Sequence, residues 1–324
     1  MKTLQELQDL YQEALLPDLE VLEKKRKKAY KKIHLLGGGV LLLAAAIIGL
    51  LFNTVSDKGS LFMITGSVGT VIITIGYHFF TKDYVREFKA KIIQKIVSFI
   101  DSNLTYSSTG CVSRSQFTDS GIFNRQPDKY KGDDLVRGKI GATQMEFSEI
   151  HAQYKTETKD SKGNRRTQWH TIFKGMFFLA DFNKHFKGRT VVLPDNAERI
   201  MGGLAKMFQS WNISRDQLVK LEDPEFEKFF VVYSDDQVEA RYILSTSLMK
   251  RISDFKKKSN RKIYISFAGS KIYVAVSYSK SLFEPRVFKT ILDFKPIQEY
   301  FEDLILVVGL VEDLNLNTRI WTKH

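Results

Sequence analysis

Glu23 to Phe52 reads EKKRKKAYKKIHLLGGGVLLLAAAIIGLLF, seven lysines and arginines followed by an unbroken apolar run. A cleaved signal peptide has a short basic start, an apolar stretch of about 7–15 residues and a small-residue cleavage site. Ala44 and Ala46 supply the last feature. The others are missing, because 32 residues precede the run and it continues past Ala46 through Ile47, Ile48, Leu50, Leu51 and Phe52. Ile33 to Phe52 is 20 residues long. That length crosses a hydrocarbon core of about 30 Å at about 1.5 Å per residue. The stretch reads as a retained anchor.

A second uncharged run, Leu61 to Phe80, follows after only Asn53 to Ser60. A connection that short joins antiparallel neighbours, so the pair is expected to form a transmembrane hairpin. A helical hairpin buried in a soluble core is the competing reading, but two uncharged stretches of this length are rare there. Lysines and arginines close to the spans set orientation. Seven stand in the 20 residues before the first span, Lys58 alone in the loop, and five in the 20 residues after the second. Both termini are therefore expected on the cytoplasmic side. Cys111, the one cysteine, sits in SSTGCVSRS without a nearby histidine and reads as a bystander in a reducing compartment.

The chain divides into an amphipathic arm (1–32), the hairpin (33–80), an amphipathic stalk (81–104), a polar connector (105–134) and a domain (135–324). Leu4, Leu7, Tyr11 and Leu15 lie on one helical stripe, interrupted by Pro17. Val85, Phe88, Ile92, Ile96 and Phe99 mark the stalk, expected to pack on the arm or on the membrane surface. From Asp134 the signal is β. Met145 to Thr158 alternates with a change of phase that suggests a bulge near Ser148–Glu149. QWHTIFKGMFFLADF (168–182) is apolar on both phases and so is expected to be a central strand.

RKIYISFAGSKIYVAVSY (261–278) reads as a hairpin about Gly269-Ser270, pairing Phe267 with Ile272, Ile265 with Val274 and Ile263 with Val276. Helices are expected over Glu198–Trp211, Thr246–Lys256 and from about Pro296 to Leu314. The fold class is thus α+β: a transmembrane helical hairpin followed by a cytosolic domain of mainly antiparallel strands with framing helices.

Four stretches carry a resemblance: KIGATQMEFSEIHAQYK (139–155), WHTIFKGMFFLADFNKHFKGRTVVLPD (169–195), DPEFEKFFVVYSDDQVEARYILS (223–245) and LNTRIW (316–321). They are similar to a family of uncharacterised bacterial membrane proteins, some mislabelled galanin, with two N-terminal spans and a cytosolic C-terminal domain. The resemblance implies location in the inner membrane and a LemA-like membrane protein as a partner. It implies no catalytic residue.

Walker, Rossmann, G-x-S-x-G and H-E-x-x-H patterns are absent, and no cofactor is expected. His151, His170 and His185 with Asp181 invite a metal reading. A loop at Ser161–Asn164 would put His170 opposite Lys155 and His151 opposite Lys174. The two imidazoles would then stand about 13 Å apart along the ladder, whereas zinc holds its ligands at about 2 Å. Asp235, Asp236 and Glu239 read first as a turn or helix cap and second as an acid/base or cation site.

Charge says more. The chain carries +12. Lys162, Arg165 and Arg166 cluster at one hairpin tip; Lys250, Arg251, Lys256, Lys257, Lys258, Arg261 and Lys262 cluster before the late hairpin. Such runs suit a solvated face, anionic lipid head groups or an acidic protein. Nucleic acid fits less well, for want of interleaved aromatics. In the spans, Ala45 and Gly49, and Gly66, Thr70 and Thr74, form small-residue stripes that allow close helix packing, within the hairpin or between copies of the chain. The expected function is a non-enzymatic membrane-anchored protein whose basic module binds a protein partner or an anionic membrane surface. The alternatives are a membrane-tethered enzyme with an unfamiliar site and an accessory subunit of a transport assembly.

Overall fold

The computed structural model describes residues 2–159, 165–182, 184–195, 218–314 and 316. The expected helix Glu198–Trp211, the Ser161–Asn164 loop with Lys162, and LNTRIW beyond Leu316 lie outside the described residues. The chain forms two units, one of helices (2–95 and 283–300) and one built on a sheet (96–282 and 301 onward).

In the helical unit, α1 (Leu4–Leu10) opens on a capping box, in which the Thr3 hydroxyl accepts the Glu6 amide and the Glu6 carboxylate accepts the Thr3 amide. Pro17 does not interrupt the helix as its sequence position suggests. A π-helical turn, Tyr11–Leu15, precedes it, and Pro17 falls in the first turn of α2 (Leu16–Leu51), where its missing N–H is tolerated. Asp57 then caps α3 (Lys58–Phe88), which runs through a second π turn, Lys89–Ile93, into α4 (Gln94–Ile100). The most apolar 18-residue windows of the two long helices are only 6% buried, and both helices are long and apolar enough to cross a membrane.

Beyond those windows the arm and stalk pack on each other. Leu7, Tyr11, Leu15, Leu19 and Leu22 are buried, as are Tyr84, Phe88 and Ile92. Lys95 Nζ reaches Asp18 at 2.7 Å, and Lys25 reaches Glu87 at 2.5 Å. Residues 283–300 belong to this unit, held by Tyr84 Oη donating to the Arg286 carbonyl at 3.0 Å and Arg26 Nη1 to that of Val287 at 2.7 Å.

The sheet unit runs β1 (Leu104–Ser107), α5 (Arg114–Asp119), β2 (Lys129–Ile140), β3 (Thr143–Lys159), β4 (Arg165–Asp181), β5 (Thr190–Pro194), β6 (Leu218–Val219), α6 (Pro224–Glu227), β7 (Phe230–Ser234), α7 (Gln237–Ile243), α8 (Thr246–Ser259), β8 (Ile263–Ala268) and β9 (Lys271–Ser277). Then α9 (Phe294–Val308) breaks at Gly309 into α10 (Leu310–Asp313), so the single helix expected to Leu314 is two. Among the described residues the strands form one antiparallel sheet in the order β1-β2-β3-β4-β9-β8-β5-β7-β6. A pair of long apolar helices followed by an antiparallel sheet with helices is thus what the chain adopts.

β4 is central, between β3 and β9, and Met176 through Ala180 are all buried. One face packs Phe117, Ile122 and Phe123 against Ile150, Phe173 and Phe177. The expected connector therefore contributes a strand, a helix and core. Its apolar residues are spaced irregularly, and only the folded sheet gives them something to cover.

A bulge falls at Ser148–Glu149 as expected, but its extra residue is on the partner strand, where Asp134 and Leu135 of β2 stand opposite Ser148. β3 pairs with β4 without interruption from Met145 to Ala152, and the irregularity lies on β2, between Asp133 and Val136. The change of phase in β3 reflects burial on both faces there. The β8–β9 register is the expected one, with Gly269 at φ 63 in its two-residue turn. A Cβ on Gly269 meets nothing within 4 Å. Gly269→Ala should therefore cost only the left-handed conformation, about 1–2 kcal/mol, as a small drop in thermal midpoint with binding surfaces unchanged.

Candidate functional site

α8 carries the longest basic run. Ser245 caps its start by accepting the Leu248 amide, and Asn260, at φ 49, closes it in the left-handed conformation. Lys256, Lys257 and Lys258 fill the last turn, where cations complement the exposed carbonyl end of the helix. Most of the run is engaged nearby. Lys256 Nζ donates to the Arg261 carbonyl at 2.6 Å, Lys257 pairs with Glu225, and Lys258 pairs with Asp313 at 3.2 Å. Arg251 donates to the Asp313 carbonyl at 3.3 Å, and the Arg261 guanidinium lies 3.8 Å from the Tyr278 ring centroid. Lys250 and Lys262 are exposed. This cluster ties α8 to α6 and α10 more than it presents a charged surface.

The second basic cluster lies elsewhere. Arg165 and Arg166 are exposed at the start of β4, on an arm where β3 and β4 run beyond the core. A bulge at Ile172 shifts the pairing, since Ala152 faces Phe173 but Gln153 faces Thr171. His151 stands opposite Lys174 as expected, but Trp169 replaces His170 opposite Lys155. The two imidazoles are thereby on opposite faces of the arm. His151 Nε2 is 3.3 Å from Thr171 Oγ1; His170 Nε2 is 2.9 Å from Thr156 Oγ1 and its ring stacks on Tyr154. His185 is exposed. The histidines do not converge on one point.

The face that carries His151 is basic across three strands. Lys131, His151 and Lys174 form one row; Lys129, Gln153 and Thr171 form the next; Lys155 and Trp169 form a third. Trp169 is 48% exposed, with Lys129 Nζ 5.6 Å from its ring centroid. Burial pushes the His151 imidazole below its ordinary pKa, and Lys174, Lys129 and Lys131 push it further. No run in the sequence marks this surface, because each strand supplies one or two lysines at alternate positions.

Asp235, Asp236 and Glu239 serve the backbone. Asp236 caps α7 by accepting the Glu239 amide at 2.9 Å, Asp235 accepts that of Arg189 at 2.6 Å, and Glu239 accepts that of Gly188 at 2.9 Å. A different acidic group, missed in the sequence, joins Asp133, Asp134 and Glu149 with oxygens within 4.8 Å of one another. Asp134 accepts the Tyr106 hydroxyl and Glu149 the Leu282 amide at 2.9 Å. These bonds give two of the carboxylates structural work between β1, β2, β3 and the segment after β9. Burial, then Asp133, raises the Cys111 thiol above its ordinary pKa, which disfavours a nucleophilic thiolate.

In the long helices, a Cβ on Gly49 or Gly66 would meet nothing within 4 Å, and Ala45, Thr70 and Thr74 are exposed. The close approach between α2 and α3 uses Gly69 and Gly76 instead, whose Cβ positions fall 3.1 Å from Val40 Cγ1 and 2.1 Å from Leu36 Cδ2. Both expected stripes point away from the hairpin's own contact.

Residues 171–316 match a family described as a protein of unknown function, DUF3137. The match runs from within β4 to the last described residue and supports assignment of that stretch to an uncharacterised family. The solved structure of the mycobacterial trehalose monomycolate transport factor A, TtfA, is similar over 68% of this chain and 96% of its own, at 8% identity and a TM-score of 0.34. No curated protein matches the chain.

Proposed function

We propose that this chain is a non-enzymatic protein of the bacterial inner membrane, anchored by α2 and α3 with both termini in the cytoplasm. Its sheet unit is a binding module for an anionic surface or a protein partner. The observation that carries the reading is the exposure of the two long helices: Leu42, Leu50 and Phe79 are 75%, 79% and 75% exposed. Fully burying one such side chain is worth about 1.5–3 kcal/mol. A double row of them left in water is untenable, and lipid is the cover that needs no further protein. The lysine and arginine distribution supports the orientation. Alkaline carbonate extraction of membranes should leave the full chain in the pellet, and a cytoplasm-dependent reporter fused after His324 should be active. Recovery in the soluble fraction, or a reporter active only outside the inner membrane, would defeat the proposal.

The outward stripes support self-association through the spans. Gly49→Ile with Gly66→Ile should weaken a detergent-resistant oligomer without unfolding the hairpin, because neither position touches the partner helix. Crosslinking in mild detergent reads this directly, and unchanged association would remove the stripe from consideration. A LemA-like protein recovered with the intact chain in mild detergent would support the protein-partner form of the reading.

A further inference from the structure

The β2–β3–β4 arm has one face on which cross-strand register gathers lysines around an exposed tryptophan. Rows two residues apart place Lys129, Lys131, Lys155 and Lys174 around Trp169 on that face, and Lys159 and Arg165 pair farther out along it. From the row of His151 to that of Lys159 is eight residues, about 26 Å at about 3.3 Å each. Among the described residues, the nearby carboxylates are Glu157, ion-paired with Lys155 at 2.9 Å, Asp128, which accepts the Lys155 amide, and Asp133 and Glu149, which stand opposite each other in the row next to that of Lys131, His151 and Lys174. They are fewer than the cations Lys129, Lys131, Lys155, Lys159, Arg165 and Lys174. The strip therefore keeps a positive surplus.

On the premise that the chain is membrane-anchored, we propose that this strip docks on anionic phospholipid head groups, with Trp169 entering the interfacial layer. Lysine ammonium groups are point charges suited to a mobile sheet of phosphates, and an exposed tryptophan is the side chain that partitions to the head-group level. A single exposed aromatic on this face offers no succession of stacking platforms, which single-stranded nucleic acid requires. Anchoring in the same chain converts docking into an intramolecular step at high effective concentration. Each lysine near an anionic leaflet adds roughly fivefold to the attraction.

The test uses the full chain with Trp211→Phe and Trp321→Phe, leaving Trp169 as the sole tryptophan, reconstituted in liposomes of phosphatidylcholine alone or of phosphatidylcholine mixed with anionic phosphatidylglycerol. Trp169 emission should shift to the blue, and become quenchable by brominated lipid, only in the anionic liposomes. Adding Lys129→Glu and Lys131→Glu, both at exposed positions, should lower the docked-to-free ratio at least roughly 30-fold. Far-ultraviolet circular dichroism checks that this variant is folded, and Lys129→Gln with Lys131→Gln should give an intermediate loss.

Equal emission in the two liposome types, or a blue shift that survives charge reversal, would overturn the proposal. So would a shift produced in neutral liposomes by a single-stranded oligonucleotide and not by anionic lipid. A carbonate wash of the same samples separates the two readings. A chain that stays in the liposomes without the emission change refutes the strip alone, and a chain that washes off refutes the anchor and the strip together.

Discussion

Arg26→Met is expected to destabilise the helical unit by about 3–5 kcal/mol, the cost of leaving a buried charge without its partner. Arg26 and Glu23 form a two-bond pair one turn apart on α2, with Nε to Oε2 at 2.8 Å and Nη2 to Oε1 at 2.7 Å, and their side chains are 9% and 6% exposed. The pair also holds the returning segment, since Arg26 Nη1 donates to the Val287 carbonyl and Glu23 accepts the Ile291 amide at 3.3 Å. Burial alone would push the Glu23 carboxyl up, but the Arg26 hydrogen bonds and the Ile291 amide outweigh it, and the group ends below the ordinary carboxylate pKa. A lowered folded-state pKa means stability that is present above the unfolded value and lost as pH falls through the folded one.

The variant removes the cation and keeps the burial, so its remaining carboxyl should titrate higher than in the parent. The gap between variant and parent should then be widest near neutral pH and narrow on acidification. Helix melting followed at 222 nm in mild detergent measures it. Glu23→Leu with Arg26→Met should recover only part of the loss, because it removes the unpaired carboxylate but leaves the Val287 carbonyl and the Ile291 amide without their partners. A gap independent of pH, or full recovery in the double variant, would show that the pair is not what holds residues 283–300.

The same pair illustrates what a sequence conceals. KKRKK before the first span counts as seven cations with its neighbours, yet Arg26 is buried and Lys25 is paired with Glu87. Linear runs are legible, and their use is not. The α8 run was plain in the sequence and is largely engaged by Glu225, Asp313 and nearby carbonyls. The lysines around Trp169 were invisible because they meet only through cross-strand register.

Register was readable where apolar residues alternate against apolar residues, as in β8–β9, and on the inner half of β3–β4. It slipped by one on the outer half, where polar residues on both faces impose no phase and the bulge at Ile172 goes unannounced. The return of residues 283–300 to the helices depends on backbone carbonyls as acceptors, which side-chain patterning does not record.

Gly175→Ala should cost the sheet unit about 3–5 kcal/mol, combining a strained backbone with a forced displacement of neighbouring strands. Gly175 sits at φ 150, between Ile150 of β3 and Ser277 of β9, and its missing side chain lets β9 come close. A Cβ there would lie 2.2 Å from the Val276 carbonyl oxygen and 2.8 Å from the Tyr278 amide nitrogen. Both are backbone atoms, so neither can swing aside. Relief would have to come from parting β4 and β9 at the point where the Tyr278 amide donates to the Lys174 carbonyl at 3.1 Å. Lys174 is also a member of the basic strip and donates to the Ser279 carbonyl at 3.3 Å, so local parting should disturb that end of the strip before the rest. Hydrogen exchange should show the Tyr278 amide losing protection ahead of the β8–β9 turn amides, with the thermal midpoint well below that of Gly269→Ala. If the two variants melt alike, the close approach of β9 to β4 is not a constraint that the fold depends on.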